Sequence, residues 1–210
     1  IGLPLSILNQ PVNSKYSVYE IGMNKIGEID YLSKILKPQV GIITNIAPAH
    51  IGKLRSLNNI FKAKSELIAN IQKGGHIILN SDCKYLKKLK KIAKKNKVKI
   101  ITFGLEKKSN YYFKKFHNGY CYIKCNKNIV KFRLKNFSAP YIYNILIVLA
   151  VINLLDLNKK KIIKKFNNFK EIKVRGNLVT FIKKKKKFKI IDDSYNSNPL
   201  SLKHSIQKLN

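Results

Sequence analysis

The spacing of hydrophobic positions changes character along this chain. From Tyr16 to about Gly104, short β-rich runs alternate with stretches of helical period. Tyr16–Glu20 and Val40–Ile46 read as strands, Leu57–Ile71 as a helix and His76–Asn80 as a strand. Cys83–Asn96 reads as a lysine-faced helix and Val98–Gly104 as the closing strand. Such alternation predicts parallel strands with helices packed outside them, the doubly wound α/β class. Residues 111–135 predict a β meander of Tyr111–His117, Tyr120–Lys124 and Ile129–Leu134, turned at Asn118-Gly119. Pro140 opens a helix running through Leu155 that is apolar almost all round, which predicts deep burial.

A boundary is expected near Lys170–Gly176, because strand patterning restarts beyond it. Leu178–Ile182 and Phe188–Asp192 read as strands, and the five lysines between them (Lys183–Lys187) as a solvated hairpin tip. A polar turn and a helix from Pro199 follow. The expected fold is therefore α/β: a mostly parallel sheet flanked by helices, with a β meander, over residues 1–170. Residues 171–210 are expected to begin a second, Rossmann-like α/β domain, too short to bury its own sheet. The chain starts at Ile1 without an initiator Met, and the expectation is that it begins inside a longer protein.

Composition adjusts this picture modestly. Hydrophobic residues make up 45% of the 210, enough for a core and too many for a disordered chain. No apolar run is long enough to span a bilayer, and the apolar start lacks the basic leader and cleavage site of a secretory signal. Three cysteines (Cys83, Cys121, Cys125) without a CxxC pair suggest reduced thiols in a cytosol, with structural roles for Cys121 and Cys125.

The formal charge of +33 invites a nucleic-acid reading. Three features oppose it. Only Arg55, Arg133 and Arg175 are arginine, whereas base readers lean on arginine's planar fork. Residues 1–70 hold eight Lys or Arg against four Asp or Glu, while the remainder hold thirty-five against six. The lysines also accompany abundant Ile, Asn and Tyr, as compositional drift toward A and T would produce. A lysine-coated solvated surface is the simpler account. Tyr111–Phe116, the best local candidate for base stacking, alternates like a sheet strand.

Ligands of doubly wound sheets bind beyond the carboxyl ends of the strands. Two candidate strands end in chemically loaded residues: Glu20 before Gly22-Met23-Asn24, and Thr44-Asn45 before Ala47-Pro48-Ala49-His50. An acid at the tip of an apolar strand is costly to bury unless paired or bound to a cation. Glu20 is thus a candidate Mg²⁺ ligand, since that ion prefers oxygen donors.

The order of these features carries more than any one of them. YEIGMNKIGEIDYL, then TNIAPAHIGKLRS, then FKAKSELI resemble the central domain of the Mur ligase family, and IIDDSYNSNPLSL resembles the opening of that family's C-terminal domain. IGLPLSIL sits where the family has a GVPLTLL-like segment. The resemblance covers essentially the whole chain, and its nearest type is the one that adds D-alanyl-D-alanine to UDP-N-acetylmuramoyl-tripeptide with ATP. It implies that Glu20 binds Mg²⁺, that His50 belongs to the metal site, and that Lys64 is carbamylated by CO₂ and helps hold a second Mg²⁺. It implies further that Asn144 contacts adenine, and that Arg175 and Asp193 reach the nucleotide when the domains close. Asn196 and Asn198 belong to the same signature without individual roles. A cytoplasmic monomer is implied, with no nucleic-acid or membrane partner.

Departures from the family pattern are plain. No glycine-rich loop ending in Gly-Lys-Thr/Ser occurs in the 210 residues. The resemblance places that loop upstream, so these residues alone are expected not to turn over. Family Gly and His positions appear as Ser138 and Pro140, and Val174 stands where Gly often precedes the arginine. The rivals are a sibling Mur ligase or folylpolyglutamate synthase, against which DDSYNSNP argues, and a lysine-rich nucleic-acid-binding module.

Overall fold

The computed structural model describes residues 2–48, 51–134, 138–166, 177–183 and 186–192, together with Leu202 and Ile206. Its main sheet has six strands in the order β1 (Val40–Ile43), β2 (His76–Asn80), β3 (Lys99–Gly104), β4 (Tyr111–His117), β5 (Tyr120–Cys125), β6 (Asn128–Arg133). The first three pairings are parallel and the last two antiparallel. Helices α1 (Gly2–Leu8) and α2 (Glu28–Leu36) precede β1. Between β1 and β2 lie α3 (Ile51–Leu54) and α4 (Leu57–Ala69), and between β2 and β3 lies α5 (Leu86–Lys95). Then α6 (Ala139–Leu154) and α7 (Lys159–Ile163) follow β6, and a separate hairpin joins β7 (Asn177–Lys183) to β8 (Lys186–Asp192).

Alternation along the strands divides the core between the two faces of the sheet. Ile43, Ile77 and Leu79 point into one cluster with Ile60, Ala63 and Ile68 of α4 and Leu89 and Ala93 of α5. Ile78 and Phe103 point the other way, into a cluster with Cys121 and Ile123 of β5 and Ile142, Ile145, Leu146 and Leu149 of α6. Strands β2 and β3 are covered on both faces, which is why they read as nearly continuous apolar runs.

The meander forms as its pattern predicts, with one irregularity. Phe113 pairs with Ile123 but Lys115 with Tyr122, so Lys114 is an extra residue, a β-bulge. The bulge resets the alternation. Phe116 then sits opposite the buried Cys121, on the side facing α6, and Lys115 and His117 fall on the outer face opposite Tyr122 and Tyr120. The turn at Asn118-Gly119 has positive φ at both residues (49° and 73°), the left-handed geometry that this dipeptide tolerates. Parallel β3 and β4 are joined by only six residues because they overlap at just two pairs, Phe103 with Tyr111 and Gly104 with Tyr112.

The structure corrects three expectations. Tyr16–Glu20 is irregular: Val18 is 91% exposed, and the segment pairs with no strand among the described residues. An apolar run becomes a strand only when a neighbour accepts its backbone N–H and C=O groups, which its own period cannot report. The apolar helix is not covered all round. Ile142, Ile145, Leu146, Leu149, Ala150 and Ile152 are buried, whereas Asn144 and Val148 are exposed, because α6 packs on the sheet by one face. Helices α1 and α2 were not foreseen as elements. The hairpin β7–β8 does join two strands across the lysine run, with Lys183 opposite Lys186. The boundary at Lys170–Gly176 and most of the helix expected from Pro199 lie outside the described residues. No helix among the described residues is long and apolar enough to cross a membrane.

The two sides of α6 should respond differently to truncation. Leu146→Ala, at a fully buried position, should lower the unfolding free energy by about 3 kcal/mol. Val148→Ala on the open side should change it by less than about 0.5 kcal/mol. Urea unfolding of the 210-residue chain followed by circular dichroism measures both, and equal losses would contradict one-sided packing.

Candidate functional site

Parallel pairing of β1, β2 and β3 brings their carboxyl ends to one edge of the sheet, and polar groups collect there. Asn80 at the end of β2 donates through Nδ2 to the Thr44 carbonyl (3.1 Å) and accepts the Asp82 N–H through Oδ1 (2.9 Å). Asp82 Oδ2 accepts both the Leu105 N–H (2.7 Å) and the Tyr143 hydroxyl of α6 (2.8 Å). Ser81 donates to the Phe103 carbonyl (2.9 Å) and shares a hydrogen bond with Ser109. Gly104 is required by this crowding, since a Cβ there would lie 2.1 Å from Ser81 Oγ. Burial, then the bond to Asp82, raises the Tyr143 phenol above its ordinary range. Asn144, the next residue of α6, is exposed. Asp82 and Tyr143 carry no motif that marks them in the sequence, although Asp82 follows an apolar strand much as Glu20 was expected to.

Lys64 reaches the same edge from α4. That helix starts at Ser56, whose hydroxyl accepts the Asn59 N–H (3.1 Å), and it buries Ile60, Phe61, Ala63 and Ile68 against the sheet. Lys64 is half-buried, and its Nζ donates to the Asn45 carbonyl just beyond β1 (2.6 Å). Burial lowers its pKa, because the charged ammonium is the form that loses hydration. Lys64 is therefore not a solvent-facing helical lysine.

The other motif residues divide between placed and undescribed. Glu20 is exposed, and its carboxylate has no partner among the described residues. It lines a cleft of about 730 Å³ together with Gly2 and Ser6 of α1, Gln10, Ser17 and Leu32. Lys64 does not line that cleft. His50, Arg175 and Asp193 lie outside the described residues, as do Val174, Asn196 and Asn198. Among the described residues no three His, Cys, Asp or Glu side chains gather as a metal site would require. Cys121 and Cys125 are buried free thiols, pushed by burial up to about 12 and about 11, and so stay protonated at neutral pH.

Three acidic residues of the quoted motifs do have partners among the described residues. Asp30 accepts from Lys34 Nζ (2.6 Å) and Asn70 Nδ2 (2.9 Å). Glu66 of α4 accepts the backbone N–H groups of Gly27 (2.7 Å) and Asp30 (3.0 Å). Glu28 accepts those of Asn24 (2.6 Å) and Lys25 (3.3 Å), and these bonds lower its carboxyl pKa. Lys53 Nζ donates to Asn24 Oδ1 (3.0 Å).

A model of the Mur ligase middle domain matches residues 1–152. The UDP-N-acetylmuramoyl-tripeptide–D-alanyl-D-alanine ligase of Borreliella burgdorferi is 37% identical over all of this chain, which spans 45% of that relative's length. A crystal structure of MurF from Acinetobacter baumannii superposes with a TM-score of 0.85 at 27% identity, covering 98% of this chain and 45% of that one. MurF from Thermotoga maritima in complex with ADP shares the fold, with a TM-score of 0.80 at 23% identity over 99% of this chain and 47% of that one.

The lowered pKa of Lys64 is open to measurement. Its amine should become half-neutral at a pH below the ~10.4 of an unperturbed lysine. Trace acetylation across a pH series, quantified by mass spectrometry, should show its reactivity rising at correspondingly lower pH. A midpoint at or above the unperturbed value would contradict the burial of Lys64 against Asn45.

Proposed function

This chain belongs to the Mur ligase family, and from that premise we propose that the full-length protein carrying it joins D-alanyl-D-alanine to UDP-N-acetylmuramoyl-tripeptide at the expense of ATP. The observation that carries this reading is the extent of the likeness: identity to a ligase of that name runs over the whole chain, including the segment beyond the middle-domain match. The ADP held by the Thermotoga maritima relative supports a nucleotide substrate. Peptidoglycan precursor synthesis in the cytoplasm, by a monomer, is the setting that the reading implies.

The chemistry has two steps. The tripeptide carboxylate attacks the γ-phosphorus of ATP, ADP leaves, and an acyl phosphate forms. The amine of D-alanyl-D-alanine then attacks the acyl carbon, loses a proton and expels phosphate through a tetrahedral intermediate. Both steps crowd anionic oxygens together, so positive charge placed among them lowers the barrier. Bound Mg²⁺ would supply part of that charge. Glu20, an exposed carboxylate without a protein partner among the described residues, fits a hard cation's preference for oxygen, and His50 is the second candidate ligand.

Lys64 is assigned here to carbamylation. The reaction needs a neutral amine, which burial favours. The amine attacks CO₂ and loses a proton, and the resulting carbamate keeps one N–H that can still donate to the Asn45 carbonyl. The product is an anion suited to a second Mg²⁺. Asn144, exposed beside the Tyr143–Asp82 pair, is assigned to adenine. Arg175 and Asp193 are assigned to nucleotide contacts from residues 171–210, a second domain beyond a hinge at Lys170–Gly176, with residues 1–170 forming the first.

The full-length enzyme should release ADP only with both substrates and Mg²⁺ present, and Glu20→Ala should slow it by about 100-fold or more. The 210 residues alone should release none, since they contain no phosphate loop. Offering each amine in turn decides the type. Equal rates with D-alanyl-D-alanine and with a single L-amino acid would overturn the assignment and favour a sibling ligase.

A further inference from the structure

Helix α2 lacks an N-terminal cap of its own. Its cap position is Gly27, held at φ +95°, with no side chain to accept the orphan N–H groups of the first turn. The acceptor comes from 39 residues away. Glu66 bridges the N–H groups of Gly27 and Asp30 with its two carboxylate oxygens. Its negative charge also meets the positive end of the α2 dipole. One turn further along α4, Asn70 Nδ2 bonds to Asp30 Oδ1 (2.9 Å) and Ser33 Oγ (2.9 Å), so the same face of α4 continues along α2.

Lys64 and Glu66 are two positions apart, about 200° around a helix. One turn of α4 therefore points an amine at the end of β1 and a carboxylate at the start of α2. The segment leading into α2 carries Glu20. Met23 is buried in the core cluster that also holds Ile60 and Ala63 of α4, with Ile21 packed against it. Glu28 and Lys53 fix Asn24 from two further directions.

We propose that Glu66 is a positioning residue: by capping α2 from α4, its carboxylate sets the segment bearing Glu20 relative to Lys64. This rests on the ligase reading above only for its catalytic consequence. The cap itself is a property of this chain. Loss of the carboxylate removes the two bonds that tie the Gly27 and Asp30 N–H groups to α4, leaving Met23 and Ile29 in the core cluster to hold the segment, so the backbone leading back to Glu20 loosens while the apolar side chains stay packed.

Glu66→Gln tests it, because the amide keeps the size and one acceptor oxygen but places an N–H donor against the second backbone N–H. In the 210-residue chain, amide hydrogen exchange at Gly27 and Asp30 should accelerate by about 10-fold or more, and should rise across Glu20–Gly27. In the full-length enzyme, the Mg²⁺ concentration for half-maximal ADP release should rise several-fold, and Glu66→Asp should restore part of it. Asn70→Ala, which loosens α2 without touching the cap, should lower stability and leave that Mg²⁺ midpoint unchanged. Unaltered exchange in Glu66→Gln overturns the proposal, as does an equal Mg²⁺ shift in Asn70→Ala. Wild-type enzyme that releases no ADP would overturn the ligase reading instead, and the exchange experiment alone would then decide the cap.

Discussion

Parallel pairing of β1, β2 and β3 is the constraint on which the rest depends. Parallel neighbours must be joined by a crossover, and here α4 and α5 provide it, covering one face of the sheet. The pairing also forces the three strands to end together. Thr44-Asn45, Ser81-Asp82 and Gly104-Leu105 therefore meet at one edge although they lie about 60 positions apart in sequence. Backbone groups left unpaired beyond the strands find side-chain partners in Asn80 and Asp82.

Burial and polarity are reconciled at that edge by the elements that border it. Helix α4 must sink Ile60, Ala63 and Ile68 into the core, and this drags Lys64 into a half-buried position where the Asn45 carbonyl meets its ammonium. Helix α6 covers the opposite face and lays Tyr143 across to Asp82, leaving Asn144 open beside it. A lysine made less basic and an exposed amide thus both arise from packing demands on apolar neighbours. The ligase chemistry proposed above needs polar groups whose positions are set before substrate arrives.

The lysine excess takes a subordinate place. Much of it lies on α5 and on the outer face of the meander, where Lys131 covers Tyr120 (4.3 Å) and Lys115 covers Tyr122 (5.1 Å). Each charge sits on a side of its element that the core does not use. The one-residue bulge at Lys114 preserves this separation, since without it Phe116 would turn outward and Lys115 inward.

Local period and motif order determined a good deal. The strand at His76–Asn80, the helix within Leu57–Ile71, the meander and its Asn118-Gly119 turn were legible because each is specified by neighbours a few residues away. Family membership was legible because four motifs keep their order along the chain. What only the tertiary structure decided was every feature requiring a distant partner. Tyr16–Glu20 has strand composition but no paired edge among the described residues, and α6 looks buried all round although its packing leaves Asn144 and Val148 in solvent. Asp82 earned its place only when Tyr143 and Leu105 arrived beside it, and Glu66, one more polar residue on a helix in the sequence, became the cap of α2. The reason is common to all of them: hydrogen-bond satisfaction and desolvation are settled between atoms in contact, and spacing along a chain records contact only where the chain folds back on itself locally.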